Sequence, residues 1–479
     1  MMKKLLLILL AISILLCSCN KPEPAPNEGD GSKPDVSATE STTLPSGESS
    51  DSTTSGGAGE DTPTQTDKDG STVRPTGSTG NPNDGKTTKP VDGKTTSSTK
   101  KTTSSTKKTT SSTKKTTAPT KPTIHLEDSE MAFFQNIVDT ENAWLASIQL
   151  SNGAMPMTPT TNGTVKVTPY FSDFAALSLL NQPNKYAANV KKYMDWHFSH
   201  LNTAKTDYNG VDGTIYDYNV TVSSGKVTGE AILMSGGKKS YDSTDSYAAT
   251  FLMVLQKYVE KTGDKAYIVA HKSEIERIVN AMFATMKNGL TLAKPDYAIK
   301  YLMDNCEVYE GMLAGEKLYT KVLIPAGAGS KATRDKLKNG AKQVADKIEK
   351  EMWNGSYYHP ALGADSSVAY QFSWSNFYPS ATAQLFPIVF GLIQPTDARA
   401  KALYNSFCSY YDWENHNIPD TFYWGSNVQA AVMMGDVDRV KTYMEIYERV
   451  AMKRHNYPLY NSDAAKVCMA AYDILQMAD

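Results

Sequence analysis

Beyond Leu126, long and short connections alternate between segments that share one helical period, and few architectures satisfy both conditions at once. Apolar residues recur at helical spacing, as in Phe133, Phe134, Ile137, Ala143, Trp144 and Ile148. Twelve such segments are predicted, near 128–150, 170–181, 185–201, 243–262, 264–288, 305–323, 329–351, 379–393, 396–412, 426–435, 436–454 and 462–478. The first, third, fifth and seventh connections run to about 19, 41, 16 and 27 residues, whereas the second, fourth, sixth and eighth are only a few. A short link makes its two helices antiparallel neighbours, so the expected class is all-α, built from six helical hairpins. Closed into a ring, such hairpins put every long connection at one end, and a site is expected among those loops. Strand-like pieces are confined to the loops, notably Thr214–Val220 with Lys226–Ile232 about Ser224-Gly225.

Ahead of this domain, from Asn20 to about Thr123, the chain is Pro, Gly, Ser, Thr, Asp and Lys with almost no apolar side chain. Such a segment cannot bury enough surface to offset the entropy of ordering, so a disordered Thr/Ser/Lys-rich linker is expected. The unit Thr-Thr-Ser-Ser-Thr-Lys-Lys repeats from Thr95 to Lys115, but with no apolar position it is a spacer and not a coiled-coil heptad. Roughly 100 flexible residues reach about 55 Å. The N-terminus reads Lys3-Lys4, an apolar run Leu5–Leu16, then Cys17-Ser18-Cys19. That is the layout of a signal peptide, and its Leu-x-small-Cys close resembles the bacterial lipobox. The resemblance implies residues 1–18 as a lipoprotein signal peptide, lipidation at Cys19, a tether over 19–126 and a folded domain over 127–479. The expected location is the cell surface, on the outer face of a bacterial membrane, with contact to cell-wall polymers through the basic tether.

A net charge of -2 excludes a strongly basic nucleic-acid binder, and no nucleic-acid partner is expected. Cys306, Cys408 and Cys468 fall at no metal-ligand spacing; they read as buried reduced thiols, with one pair free to bridge in an exported protein. His197 and His200 stand at i, i+3 without a His-Glu-x-x-His frame, so no metal site is expected. No Gly-x-Ser-x-Gly elbow, phosphate loop or dinucleotide fingerprint is present.

The long connections are rich in aromatics, among them Tyr170, Tyr241, Trp374, Tyr378 and Trp424. A pyranose lays an apolar face on such a plate while its rim hydroxyls bond Asp, Asn and Gln. The same rings also serve as small cores for the loops themselves.

Three stretches carry a likeness: Trp144-Leu-Ala-Ser-Ile-Gln149 leading to Asn152-Gly153-Ala154, Tyr241-Asp242-Ser-Thr-Asp245-Ser-Tyr247, and Met352-Trp353-Asn354 before Tyr357-Tyr358. Together with the helix pairing, they make residues 128–479 resemble the six-hairpin glycosidases, the (α/α)6 toroids that include glucoamylase-like and unsaturated-glucuronyl hydrolases. The Asp242-x-x-Asp245 opening is similar to the Asp-x-Asp of the family 8 endoglucanases, with one residue more between the acids. The resemblance implies an (α/α)6 toroid that needs no cofactor and hydrolyses an oligo- or polysaccharide.

Glycoside hydrolysis takes two carboxyls about the scissile bond, about 5–5.5 Å apart for retention or roughly 6.5–9.5 Å for inversion. Asp242 and Asp245 open the fourth segment and Asp304 and Glu307 the sixth, both on the inner side of the ring with their N-termini toward the loops. Asp245 and Glu307 are the leading catalytic candidates, with Asp242 beside them and Glu310 after them. Asp242-Ser-Thr-Asp245 also reads as an N-cap followed by a favourable first-turn charge, and Asp304-Asn305 as an Asx-type cap. Tyr170, Asp173, Tyr241, Asp304, Trp374, Tyr378 and Trp424 are expected substrate-binding residues, with Asp212 and Asp217 as further sugar ligands. Two other readings stay open: a surface glycan-binding protein without turnover, and a polysaccharide lyase using Tyr and His.

Overall fold

The computed structural model describes residues 123–479; the expected signal peptide, Cys19 anchor and tether lie outside the described residues. Outer and inner helices alternate along the chain. They run α1 (Asp128–Ser147, outer), α2 (Pro169–Leu179, inner), α3 (Pro183–Ser199, outer) and α4 (Asp245–Thr262, inner). A short α5 (Lys265–Ala270) leads into α6 (Lys272–Ala284, outer), followed by α7 (Leu302–Leu318, inner) and α8 (Lys331–Lys347, outer). The next inner position is a π-turn, Phe377–Ala381, continued by α9 (Phe386–Val389). The ring finishes with α10 (Ala398–Tyr410, outer), α11 (Ser426–Met434, inner), α12 (Val437–Tyr447, outer) and α13 (Asn461–Leu475, inner).

The inner elements close a circle, α2 on α4, α4 on α7, α7 on α9, α9 on α11, α11 on α13, and α13 back on α2. The protein is an (α/α)6 toroid. At the seam α1 packs on α13, and the Ile124 N–H donates to the Met477 carbonyl at 2.9 Å, so the two ends of the domain hold each other. Each inner helix before α13 runs into its outer partner through a short link and is entered by a long loop, which sets the inner N-termini at the loop end; α13 meets its outer neighbour α1 across the seam.

Small residues let the inner helices touch. A Cβ on Gly311 would lie 2.6 Å from the Ala249 Cα, so α7 approaches α4 as closely as backbones allow. The core is continuous and apolar, from Phe134 and Ile137 through Phe251 and Leu255 to Val467 and Ile474. Cys306, Cys408 and Cys468 are unpaired thiols. Among the described residues no helix is long and apolar enough to cross a membrane.

Strands occur only in the loops. β1 (Gly163–Val167), β2 (Tyr218–Ser223) and β3 (Lys226–Ile232) form an antiparallel sheet from the first two long connections. Ser224 and Gly225, both at positive φ, make the expected turn, and the strand before it starts four residues later than predicted. The predicted helix 264–288 divides at His271 and stops at Ala284, because Asn288 and Gly289 at positive φ form a second tight turn. The predicted helix 379–393 shrinks to a π-turn and one short helix, since Pro379 and Pro387 withhold backbone donors. Helix α7 begins at Leu302, three residues before the predicted start, and this places Asp304 and Glu307 inside its first two turns.

Candidate active site

One local pattern recurs where the long loops enter the ring: an aromatic residue followed three positions later by a polar one. It appears as Tyr170 and Asp173, Tyr301 and Asp304, Trp424 and Asn427, and Tyr460 and Asp463. The aromatic closes the loop and the polar residue falls in or beside the first helical turn, where the helix dipole favours negative charge. Asp245 opens α4, three residues after Asp242.

The close contact of α4 with α7 brings Asp245 together with Asp304 and Glu307. Asp245 is 0% exposed and Glu307 1%, while Asp304 is half-buried and Asp242 exposed. The Asp245 Oδ1 accepts the Ser246 N–H at 2.9 Å; its Oδ2 is buried with no hydrogen-bond partner among the described residues. Burial pushes Asp245 up to about 7, opposed by donors from Thr291 and Ser246 and reinforced by the charge of Asp242. Burial likewise pushes Glu307 up to about 8, against a hydrogen bond from Tyr170 and the charge of Lys466. Asp304 is held well above the usual carboxylate range by desolvation in the cleft, then by the charges of Asp245, Glu307 and Asp242. The cluster therefore holds buried carboxyls that keep a proton near neutral pH, as a general acid requires, beside the exposed Asp242.

Tyrosines and one lysine frame these carboxyls. The Tyr170 hydroxyl donates to Glu307 Oε1 at 2.5 Å, and its ring stacks on Tyr247 at 6.0 Å. Tyr247 donates to Asp217 Oδ1 at 2.9 Å, and Lys166 pairs with Asp217 Oδ2 at 3.4 Å, which buttresses this wall from β1 and β2. Tyr297, Tyr301 and Tyr370 bring their hydroxyls within 3.1 and 3.2 Å of one another on another wall. Tyr378, 38% exposed, rests against Trp424 at 5.2 Å. Lys466 of α13 sits 4.3 Å over the Phe174 ring; burial lowers its pKa, and the charges of Asp463 and Glu307 oppose that.

Several expected ligands lie elsewhere. Asp173 is fully buried, its oxygens accepting from Tyr193 at 2.7 Å and from Thr250 at 2.7 Å, so it ties α2, α3 and α4 together and presents nothing to a substrate. Tyr241 is 1% exposed within its own loop core, stacked on Tyr216 and accepting from Asn209 at 3.0 Å. Trp374 stacks on Tyr410 of the outer helix α10 and stands edge-on to Phe372. Asp212 pairs with Arg277 on the surface, and Asp217 is the buried buttress of Tyr247. Nothing joins Glu310, further along α7, to the cluster. Of the capping reading, the first-turn acid holds, since Asp245 opens α4, whereas the N-cap is Thr244, without a side-chain cap, and not Asp242. Asn305 grips Thr291, accepting its N–H at 2.8 Å and donating to its carbonyl at 3.1 Å.

Sequence reasoning passed over Tyr460, Asp463 and Lys466 of α13. Asp463 accepts the Gly425 N–H at 3.2 Å, and burial raises its pKa against the charge of Lys466. Lys466 is thus within reach of the charges of both Asp463 and Glu307. The signal was present in the recurring aromatic-x-x-Asp pattern, which Tyr460-Asn461-Ser462-Asp463 repeats.

No family model matches this sequence, and no curated protein matches it. Among solved structures the fold is similar to a wild-type glycosidase, with a TM-score of 0.51, 12% identity, and coverage of 74% of this chain and 100% of that one. A variant of a glycosidase with glutamate replaced by alanine matches at TM-score 0.52 and 12% identity, again over 74% of this chain and 100% of that one. A second glutamate-to-alanine glycosidase variant, in complex with glucose, matches at 0.50 and 12% over the same shares. At that identity the likeness is one of fold.

Proposed function

We propose that this toroid hydrolyses glycosidic bonds of an oligo- or polysaccharide. The observation that carries the reading is the meeting of Asp242, Asp245, Asp304 and Glu307 at the loop end of the ring, two of them pushed to about 7 and about 8 beside an exposed carboxylate. A general acid must hold its proton at working pH and reach the leaving oxygen. Asp304 meets both conditions. Asp245 and Glu307, the pair favoured by sequence, are buried one layer beneath and act as positioning residues that keep the Asp304 proton in place. The second carboxyl, as base or nucleophile, comes from those flanking that layer, Asp242 on the α4 side or Asp463 on the α13 side. The glycosidase likeness in fold supports this reading, and the tyrosine walls supply faces for sugar rings.

The test is a glycan screen of the full chain that follows both new reducing ends and unsaturated products. Loss of reducing ends in Asp304→Asn supports hydrolysis, and azide restoring turnover to Asp242→Ala or to Asp463→Ala identifies the second carboxyl. A product absorbing in the near ultraviolet would assign a lyase, and glycan retention without turnover a binding protein.

We also propose that the chain is a surface lipoprotein held by Cys19. Lys3-Lys4, the apolar run and Leu16-Cys17-Ser18-Cys19 support it. Cys19→Ala should move the protein from the membrane fraction to the soluble one; unchanged fractionation would refute the anchor.

A further inference from the structure

We propose a second carbohydrate pocket, sized for a single sugar ring, in the loop that precedes α11; its ligand class rests on the glycan reading above. The cavity holds about 190 Å3 between the loop and the outer helix α12. That is room for about six waters at ~30 Å3 each, and well under the ~300 Å3 at which drug-sized pockets begin. One pyranose fits, and a disaccharide does not.

Its chemistry is that of a sugar site. Half-buried Phe422 and Tyr423 contribute aromatic surface above the buried Trp413 and Tyr443, the latter covered by the His416 ring at 4.2 Å. The polar lining comes from His416, Asp420 and Thr421. His416 Nε2 lies 3.0 Å from the Tyr443 carbonyl, and because a carbonyl only accepts, Nε2 carries the hydrogen and Nδ1 is left as an acceptor. Burial keeps this imidazole below its ordinary pKa and so neutral. Asp420 is held by the Thr421, Phe422 and Trp424 N–H groups and fixes the loop; the half-buried rings, rimmed by the Thr421 hydroxyl and the imidazole acceptor, match a pyranose and its equatorial hydroxyls.

The pocket is joined to the carboxyl cleft by the same loop. Asp420 Oδ2 accepts the Trp424 Nε1 hydrogen at 2.8 Å, and Trp424 lies against Tyr378 on the cleft rim. Phe422 lines the pocket and also packs on Tyr460 at 5.3 Å; Tyr460 meets Phe171 at 6.0 Å, and Phe171 meets Tyr170 at 5.7 Å. A row of rings thus runs from the Glu307 partner to the pocket. A glycan seated over the carboxyls can follow that row and place a remote sugar or branch in the cavity, which adds affinity without adding to the chemical step.

The experiment titrates the full chain with methyl glycosides of glucose, galactose, mannose and N-acetylglucosamine by saturation-transfer NMR. Val450→Trp and Thr421→Trp, both from exposed positions, fill the cavity without touching the core. At least one glycoside should bind with a dissociation constant on the order of millimolar, and each filling variant should weaken it at least tenfold while Asp304→Asn leaves it unchanged. On a polymeric substrate the filling variants should raise KM and spare kcat. Absence of binding at about ten millimolar, or binding indifferent to both filling variants, overturns the pocket. Binding lost on filling, in a protein that turns over no glycan, would leave the pocket standing while the hydrolase reading falls.

Discussion

The Tyr170 hydroxyl donates to Glu307 Oε1 at 2.5 Å, joining the first inner helix to the third across the mouth of the ring. The bond favours the ionised form of Glu307, while burial favours the protonated one and prevails, leaving the carboxyl near 8. Tyr170→Phe removes the opposing influence. The pKa of Glu307 should rise further, so the alkaline limb of the kcat profile should move upward, with kcat lowered about tenfold by the loosened carboxyl. An unmoved limb would show that Glu307 does not govern that titration.

The half-buried Asp304 carries the proton transfer in the proposed reading. Asp304→Asn should lower kcat by about 10²–10⁴-fold with the fold intact by circular dichroism. Asp173→Asn, in the core and away from the cleft, should leave kcat within about twofold, which separates a chemical role from a packing one.

Stability should fall as pH rises. Asp245 and Glu307 have folded pKa values raised to about 7 and about 8, so the folded state holds protons that the unfolded chain releases near pH 4. Their contribution is full below about pH 4 and is lost as pH rises through 7 and 8. Unfolding free energies from urea titrations should therefore decrease from about pH 5.5 to about pH 8.5, by on the order of 5 kcal/mol, and Asp245→Asn should flatten that slope. A wild-type midpoint that rises over this range would contradict the burial of a protonated cluster.

Gly311→Ala should destabilise the protein by about 1–3 kcal/mol, since its Cβ would stand against the Ala249 backbone and force α7 off α4. The separation should also move Glu307 and Asp304 from Asp245, so kcat measured on the folded fraction should drop with stability. Unchanged denaturation and turnover would show that the two helices yield freely.

Asp173→Ala takes one acceptor from the Tyr193 and Thr250 hydroxyls, leaving them the Pro169 and Ser246 carbonyls, at a cost of about 1–3 kcal/mol. Tyr193→Phe together with Asp173→Ala should cost less than the sum of the two single changes, because both remove the same hydrogen bond.

The helical period and the alternating loop lengths were enough to read twelve segments and a ring with one loop-built face, because both are local properties that repeat along the chain. Where local signals competed, the shorter-range one prevailed: Asn288-Gly289 ended a helix that apolar spacing had carried on, and Pro379 with Pro387 broke the next inner element. The gathering of carboxyls on α4 and α7 was legible too, since both helices are inner and both carry acids in their first turns. Which acid meets solvent was not legible. Asp173 and Asp304 follow a tyrosine at the same spacing, yet one is sealed by Tyr193 and Thr250 while the other opens on the cleft. Tyr241 and Tyr378 are both loop aromatics, and only the second is exposed. Periodicity, breakers and linker composition act within a few residues and so belong to the sequence itself. Burial and charge coupling depend on side chains far apart in the chain, and closing the ring was what decided them.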